Sequence, residues 1–315
     1  MTRPTPTAGA PSRVFPAVVE SLERLSPSFV RVTFAGEELR DLAPGGPDQR
    51  IKLIVPLPGS RVSTLPDGAD WYSVWRRLDA TERNPMRTYT IRGVAGGRLV
   101  VDVVAHGDTG PASRWIARAE VGDRLLVVGP DGSSRLPVGG SEWHPGAATT
   151  LLVAGDETAV PAACRILESL PADARGAVFL EVPSAADALD VRGPAGVDVH
   201  WLAREDGPGG DAGGGAGGVV GSRLTPAVRA WAADHLAPVG DGRPGAGPAE
   251  EPGLLNPGTE LLWEVPSGPA DGGYAWLAGE AGVITGLRRH LVRDLGIDRS
   301  RVAFMGYWKL GRPEN

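Results

Sequence analysis

The sequence predicts two domains of different class, an antiparallel β-barrel followed by an open, largely parallel α/β sheet. Short apolar runs of β-forming residues occupy residues 13–146, with almost no helix between them. From residue 147 onward, apolar strands alternate with segments whose apolar residues recur at helical spacing. The first pattern is typical of antiparallel barrels and the second of parallel α/β sheets. A chain of 315 residues is long enough for two such cores.

Six candidate strands build the barrel, for which we expect Greek-key connections. They are VFPAVVESLERL, SFVRVTFAG, RIKLIVP, RTYTIRGV, RLVVDVVAH and DRLLVVGP. Apolar and β-branched residues fill these runs, and Gly and Pro separate them, as in short strands joined by turns. One helix is predicted in PASRWIARA, because Pro111 suits a first helical turn. Residues 1–12, rich in Pro and Thr, are expected to be a disordered tail.

The second domain, residues 147–315, is predicted to be Rossmann-like. TTLLVAG followed by DETAVPAACRILESL forms a βα unit. GAVFLEV, DVHWLA, TELLWEV and YAWLAGE give four more strands, and AGVITGLRRHLVRDL gives a helix after the last of them. Two Gly/Pro-rich stretches, near 206–219 and 238–253, have too little apolar surface to order themselves and are predicted to be mobile insertions.

Composition argues against several classes of function. The net charge of −6 disfavours nucleic acid as a partner, because phosphate-backbone binding needs clustered basic surface. No apolar run approaches the ~20 residues of a membrane span, and the first residues lack the apolar centre of a signal peptide. A single cysteine, Cys164, excludes an internal disulfide. We therefore expect a cytoplasmic protein without a membrane span, and a monomer.

The stretch RTYTIR places a tyrosine and two threonines between two arginines on one predicted strand. At a period of two residues, Arg87 and Tyr89 share a face. A guanidinium binds phosphate through two hydrogen bonds, and a phenol ring can cover another flat ring. The pair therefore suits a conjugated ring attached to a phosphate, with Thr90 able to bond a polar ring edge. An ordinary barrel strand, with solvated arginines and a packed tyrosine, is the alternative.

A second stretch, HGDTGPASRW, ends a strand at His106 and begins a helix at Pro111. The amide groups of a helix start, together with the Ser113 hydroxyl, suit an anion such as a pyrophosphate. The alternative is a loop histidine and a common glycine turn without a ligand.

Together with LLVAGDETAVPA, AGEAGVITGLRRHL and GYWKLG, these stretches form five motifs in a fixed order. In this order they resemble the siderophore-interacting proteins, a family of FAD-binding ferric-siderophore reductases related to the ferredoxin reductases. The resemblance extends from Val14 to Gly311, outside the glycine-rich insertions. It implies that the barrel binds FAD and that the protein reduces ferric siderophores to release Fe(II), with NADH or NADPH as the electron donor.

The resemblance also implies which residues contact FAD. Arg87 is expected near the phosphates, Tyr89 against the isoalloxazine and Thr90 near its reactive edge. Two roles stay open for Tyr307 and Trp308: stacking on the flavin, or only closing the sheet. The predicted FAD-binding residues are Arg87, Thr88, Tyr89, Thr90, Arg92, His106, Gly107, Gly110, Ala112, Ser113, Asp156, Thr158, Ala159, Tyr307 and Trp308.

For the ferric siderophore, the same resemblance points to Lys52, one of two lysines in the chain. Catecholate complexes are anionic, so a cation beside the flavin would help to capture them. Arg50 and Arg135 are further candidates. For each of the three, a solvated surface charge is the alternative. Hydroxamate and catecholate siderophores both stay open as substrates.

The nicotinamide cofactor is expected near Glu181, Gly279 and Glu280. A carboxylate at the end of a strand can accept ribose hydroxyls and disfavours a 2′-phosphate, so Glu181 leans toward NADH over NADPH. Asp156 and Glu157, in contrast, would repel a pyrophosphate at the first βα turn. Two other functions stay open: a general NAD(P)H-dependent flavin or quinone reductase, including the reductase partner of an oxygenase, and a non-catalytic siderophore carrier or sensor.

Overall fold

The computed structural model describes residues 11–57, 59, 62, 64–66, 70–105, 110–136, 139–206, 218–236, 263–264 and 271–311. The chain divides into two compact units, the first ending at Ser141 and the second beginning at Glu142. Within these described ranges, no helix is both long and apolar enough to cross a membrane. Most of the predicted tail and insertions lie outside the described residues, although the first strand already begins at Ser12.

The first unit is an antiparallel half-barrel of seven strands. Its strands are β1 (Ser12–Arg24), β2 (Phe29–Ala35), β3 (Arg50–Ile54), β4 (Met86–Thr90), β5 (Gly93–Ala95), β6 (Arg98–Val104) and β7 (Arg124–Pro130). They lie in the order β4-β3-β7-β1-β2-β6-β5, and β4 also contacts β6 as the sheet curls. This confirms the antiparallel fold, although RTYTIRGV forms two strands, β4 and β5, instead of one.

Two helices accompany the half-barrel, α1 (Trp71–Arg77) and α2 (Pro111–Ile116). Inward-facing side chains such as Phe34, Leu53 and Ile91 form the core. On the other face of the sheet, Trp75 of α1 packs in a smaller cluster with Ile54. The sequence predicted α2 but missed α1, because a seven-residue aromatic run outside a periodic pattern gives little helical signal.

The second unit is a six-stranded sheet in the order β10-β9-β8-β12-β13-β11. Its strands are β8 (Ala147–Gly155), β9 (Gly176–Val182), β10 (Val197–Ala203), β11 (Trp263–Glu264), β12 (Asp271–Glu280) and β13 (Val302–Trp308). All neighbours are parallel except β11, which pairs antiparallel with β13. The chain runs outward from β8 to β10 and returns on the other side at β12. The order of strands therefore reverses between β8 and β12.

Three helices belong to this sheet: α3 (Val160–Ser169), α4 (Leu224–His235) and α5 (Ala281–Arg289). A turn of π-helix, His290–Asp294, continues α5. The parallel α/β class is confirmed. The sequence did not predict α4 or β13. The described part of TELLWEV, predicted as a strand of a largely parallel sheet, is the edge strand β11, which pairs antiparallel.

Candidate functional site

Four of the predicted site residues lie on one face of the β3–β4 ladder. The register pairs Arg50 with Thr90 and Lys52 with Thr88. Residues two apart on a strand share a face, and the intervening Ile51 points into the core. Lys52 Nζ donates to Thr88 Oγ1 at 2.5 Å. The structure thus brings two residues predicted for the siderophore and two predicted for FAD onto the same sheet face.

The other face of β4 carries Arg87 and Tyr89. The Tyr89 ring is half-buried and packs against the core cluster, so the half-barrel supports the ring without enclosing it. The Arg87 guanidinium, also half-buried, donates from Nη1 to the carbonyl oxygen of Met86 at 2.8 Å. The predicted pairing of Arg87 and Tyr89 on one face agrees with this register. Arg135, in contrast, is exposed in the segment after β7.

Arg92 lies in a cluster in which two arginines share one acid. Asp102, on β6, is only 2% exposed. It accepts hydrogen bonds from Arg31 Nε and Nη2 at 2.8 and 2.9 Å, and its Oδ2 lies 3.4 Å from Arg92 Nε. The trio therefore carries a net positive charge, which suits a phosphate group. Sequence reasoning missed Arg31 and Asp102, although an aspartate inside the apolar run RLVVDVV was a usable signal.

The start of α2 offers space beside the backbone. A Cβ built on Gly110 would meet no atom of the described residues within 4 Å. Ser113 lines a cleft of about 590 Å³ whose other walls include Arg24, Arg114 and Arg118. This part of the half-barrel combines open space with positive charge. Ala112, also predicted, is buried. His106 and Gly107, predicted to contact FAD, lie outside the described residues.

In the second unit, Asp156 links the ends of three strands. Its Oδ1 accepts hydrogen bonds from the Thr158 N–H at 2.9 Å and from Thr158 Oγ1 at 2.5 Å. Its Oδ2 accepts from the Glu280 N–H at 2.7 Å and from Trp308 Nε1 at 2.8 Å. Burial, and secondarily the charge of Glu157, raises the pKa of Asp156 to about 7. The carboxyl group therefore holds together the carboxyl ends of β8, β12 and β13.

Gly279 makes this link possible. Its φ is +141°, and a Cβ at this position would lie 2.6 Å from Asp156 Oδ2. Only glycine allows that approach without displacing the carboxyl group. Gly155 has a similar role, because a Cβ there would lie 2.4 Å from both Ala159 and the carbonyl oxygen of Ala278. The two glycines let the start of α3 and the end of β12 close around Asp156.

Next to Asp156 lies a buried ion pair between Glu157 and Arg204. Arg204 Nη1 and Nη2 donate to the two oxygens of Glu157 at 2.5 and 2.8 Å. Arg204 Nη1 also lies 3.6 Å from Glu181. Burial lowers the pKa of Arg204, but the neighbouring carboxylates raise it further, so the net pKa is above its usual value. The guanidinium stays charged and neutralises part of this acidic cluster. Sequence reasoning did not identify Arg204.

The structure does not support the role predicted for Glu181, which was to accept ribose hydroxyls of the nicotinamide cofactor. The side chain is 0% exposed. Its oxygens accept hydrogen bonds from the N–H groups of Gly221, Arg223 and Leu224 at 2.7, 2.9 and 3.0 Å, which are the groups at the start of α4. A buried carboxylate with both oxygens engaged does not suit ribose hydroxyls. The predicted preference for NADH over NADPH depended on that role of Glu181, so it no longer has a basis.

Glu280, predicted to contact the nicotinamide cofactor, caps α5 instead. Its Oε2 accepts from the Val283 N–H at 2.9 Å and its Oε1 from the Leu310 N–H at 3.1 Å. Tyr307 and Trp308 are half-buried at the end of β13, and the bond to Asp156 fixes the Trp308 indole. In the second unit, the predicted site residues thus meet in one hydrogen-bond network. The carboxylates among them accept hydrogen bonds from other groups of the protein.

Comparison with known proteins decides the family. Residues 148–311 match the model of the siderophore-interacting proteins. Residues 18–134 match the model of the siderophore-interacting FAD-binding domain. The chain belongs to the siderophore-interacting protein family. The resemblance found in the sequence is thereby confirmed, and the half-barrel is the FAD-binding domain of this siderophore-interacting protein.

Relatives of this siderophore-interacting protein include named reductases. The ferric vibriobactin reductase of Vibrio cholerae is 28% identical over 307 residues, which cover 96% of this chain and 92% of the relative. The NADPH-dependent ferric-chelate reductase of Escherichia coli is 31% identical over 195 residues, covering 59% of this chain and 69% of the relative. The crystal structure of a siderophore utilization protein from T. fusca matches with a TM-score of 0.67 and 27% identity, over 98% of this chain and 97% of that one.

Proposed function

We propose that this protein reduces ferric siderophores and releases Fe(II), with NADH or NADPH as the electron donor and FAD as the cofactor. The observation that carries the proposal is the match to the siderophore-interacting FAD-binding domain over the unit that holds the Lys52–Thr88 ladder. The names of the relatives from Vibrio cholerae and Escherichia coli support the acceptor, and the second name supports a nicotinamide donor.

The half-barrel has a donor set that fits FAD. The positive trio of Arg31, Asp102 and Arg92 suits the pyrophosphate, and Arg87 adds a third guanidinium. The half-buried Tyr89 ring offers a flat surface for the isoalloxazine, and Thr90, the next residue on β4, is proposed for its polar edge. When bound, FAD supplies the conversion between a two-electron donor and one-electron acceptors. We further propose that Thr88, Ser113, Gly110 and Ala112 complete this site. For Asp156, Thr158, Ala159, Tyr307 and Trp308 in the second unit, contact with FAD stays a prediction.

Lys52 is the residue that we propose for capture of the ferric siderophore, with Arg50 beside it and Arg135 as a more distant contributor. The hydrogen bond to Thr88 holds its ammonium group on the sheet face, where it would attract an anionic chelate. Hard anionic oxygens bind Fe(III) more tightly than Fe(II), so adding one electron loosens the metal. One NAD(P)H supplies two electrons, so it reduces two ferric complexes and releases one proton.

Replacing Lys52 with alanine tests this assignment. We expect kcat/KM for an anionic ferric siderophore to fall about tenfold, the effect of losing roughly 1.4 kcal/mol of attraction. The rate at which NADH or NADPH reduces the flavin should not change. Anaerobic stopped-flow absorbance separates the two half-reactions.

The matched control is Lys309→Ala, which removes the other lysine at an exposed position after β13. It should leave both half-reactions unchanged. If Lys52→Ala slows flavin reduction as much as siderophore turnover, its role is in the fold. A general flavin or quinone reductase would show no dependence of acceptor turnover on Lys52 at all.

A further inference from the structure

We propose that the protein's own carboxylates occupy the edge of the second sheet at which the parallel strands have their carboxyl ends. This edge, called the carboxyl edge below, therefore does not anchor the adenosine half of a nicotinamide dinucleotide. The inference rests on the proposed function, because it concerns how the electron donor is recognised. It assigns Asp156, Glu157, Glu181 and Glu280 the role of setting donor specificity by exclusion.

The general rule for open α/β sheets makes this edge the expected nucleotide site. Ligands of such sheets bind outside the carboxyl ends of the strands, where the strand order reverses. Phosphates are held there by free N–H groups at helix starts. In this unit the reversal lies between β8 and β12, and α3 and α5 begin directly beyond those two strands.

Three N–H groups just before and at the start of α3 are already engaged. The Thr158 N–H donates to the Asp156 carboxylate at 2.9 Å, and the Ala159 N–H donates to the Asp156 carbonyl oxygen at 2.9 Å. The Val160 N–H donates to the carbonyl oxygen of Glu157, and Pro161 has no N–H to offer. A pyrophosphate at this turn would therefore have to displace Asp156, which is buried and held by four hydrogen bonds.

The other two helix starts are occupied in the same way. Glu181 accepts three N–H groups at the start of α4, and Glu280 accepts the Val283 N–H in the first turn of α5. Each of the three described helices thus has at least one N–H group near its start engaged by a side chain or carbonyl of the protein. Carboxylates of the protein thus occupy positions at which a bound dinucleotide would place its phosphates.

Charge at this edge opposes a dinucleotide as well. Three carboxyl groups, those of Asp156, Glu157 and Glu181, face one guanidinium, that of Arg204, so acidic groups outnumber basic ones in this buried cluster. A pyrophosphate brought to this edge would meet like charge in a region of low dielectric constant. The 2′-phosphate, which distinguishes NADPH from NADH, would meet the same acidic cluster.

The test compares three donors on the FAD-loaded protein. Reduced nicotinamide mononucleotide has the reactive ring but lacks the adenosine half. We expect NADH, NADPH and reduced nicotinamide mononucleotide to reduce the flavin with second-order rate constants within about tenfold of one another in anaerobic stopped-flow. A loss of about 100-fold or more for the mononucleotide, or a preference of that size for one dinucleotide, would overturn the inference.

A binding measurement makes the test independent of turnover. Titration calorimetry of the FAD-loaded protein with ADP and with 2′,5′-ADP should give Kd values of about 1 mM or weaker. Binding of either at ~10 μM would overturn the inference. If no nicotinamide donor reduces the flavin while chemically reduced flavin still passes electrons to a ferric siderophore, the proposed donor is wrong. If ADP does not bind in that case, the inference that carboxylates occupy the carboxyl edge is nevertheless supported.

Discussion

Replacing Arg204 with methionine should lower the free energy of unfolding by about 3–5 kcal/mol, because it leaves two buried acids without their counter-ion. Arg204 holds both oxygens of Glu157 and lies 3.6 Å from Glu181, and each of the three side chains is at most 4% exposed. Methionine keeps much of the volume but removes the charge. The free energy is measured by urea denaturation at pH 7.

The matched comparison is a double variant. Glu157→Gln combined with Arg204→Met removes one of the stranded charges, so it should recover a large part of the loss. Arg223→Met, an exposed arginine at the start of α4, should change stability by no more than ~0.5 kcal/mol. If Arg204→Met costs less than ~1 kcal/mol, the buried ion pair is not the stabilising contact described above.

Replacing Asp156 with asparagine should flatten the pH dependence of stability between about pH 4 and pH 7. The pKa of this carboxyl group rises from an ordinary 3.8 to about 7 on folding, chiefly through burial. The folded protein therefore binds this proton more tightly than the unfolded chain does. The resulting stabilisation is present below pH ~4 and is lost as the pH rises to about 7, by up to roughly 4 kcal/mol.

The relevant measurement is the slope of the unfolding free energy against pH. Asparagine also loses an acceptor for the Glu280 N–H or the Trp308 indole, so absolute stability should fall as well. Asp298→Asn is the control, because the pKa of Asp298 shifts on folding in the opposite direction to that of Asp156. Hydrogen bonds from Ser300 hold the pKa of Asp298 below its usual value, so its stabilisation is present above that value and lost as the pH falls. An unchanged slope in Asp156→Asn would contradict the assignment.

Much of the fold could be predicted because each unit has its own periodicity. The alternating strands of the half-barrel and the βα repeat of the second unit are local patterns, visible in runs such as SFVRVTFAG and TTLLVAG. The missed elements lack such context. The strand β13 lies near the end of the chain after a long helix, and α4 follows a glycine-rich stretch, so neither has a neighbour in sequence that predicts it.

The site was predictable where its chemistry is local. The pairing of Arg87 with Tyr89 depends on strand period alone, and the ladder between Lys52 and Thr88 joins two residues that were both singled out. Glu181 could not be interpreted in this way, because the N–H groups that it accepts lie 40 to 43 positions further along the chain. Its identity as a carboxylate at a strand end fits a ribose ligand and a helix cap equally well.

The most direct test of the proposed function uses the purified, FAD-loaded protein. The flavin is reduced under argon with stoichiometric dithionite and mixed with a ferric siderophore in the presence of an Fe(II) chelator. We predict that the absorbance of oxidised flavin returns while about two Fe(II) ions per flavin appear as the coloured chelate. A protein that does not retain added FAD, or a flavin that stays reduced in the presence of the ferric siderophore, would contradict the account.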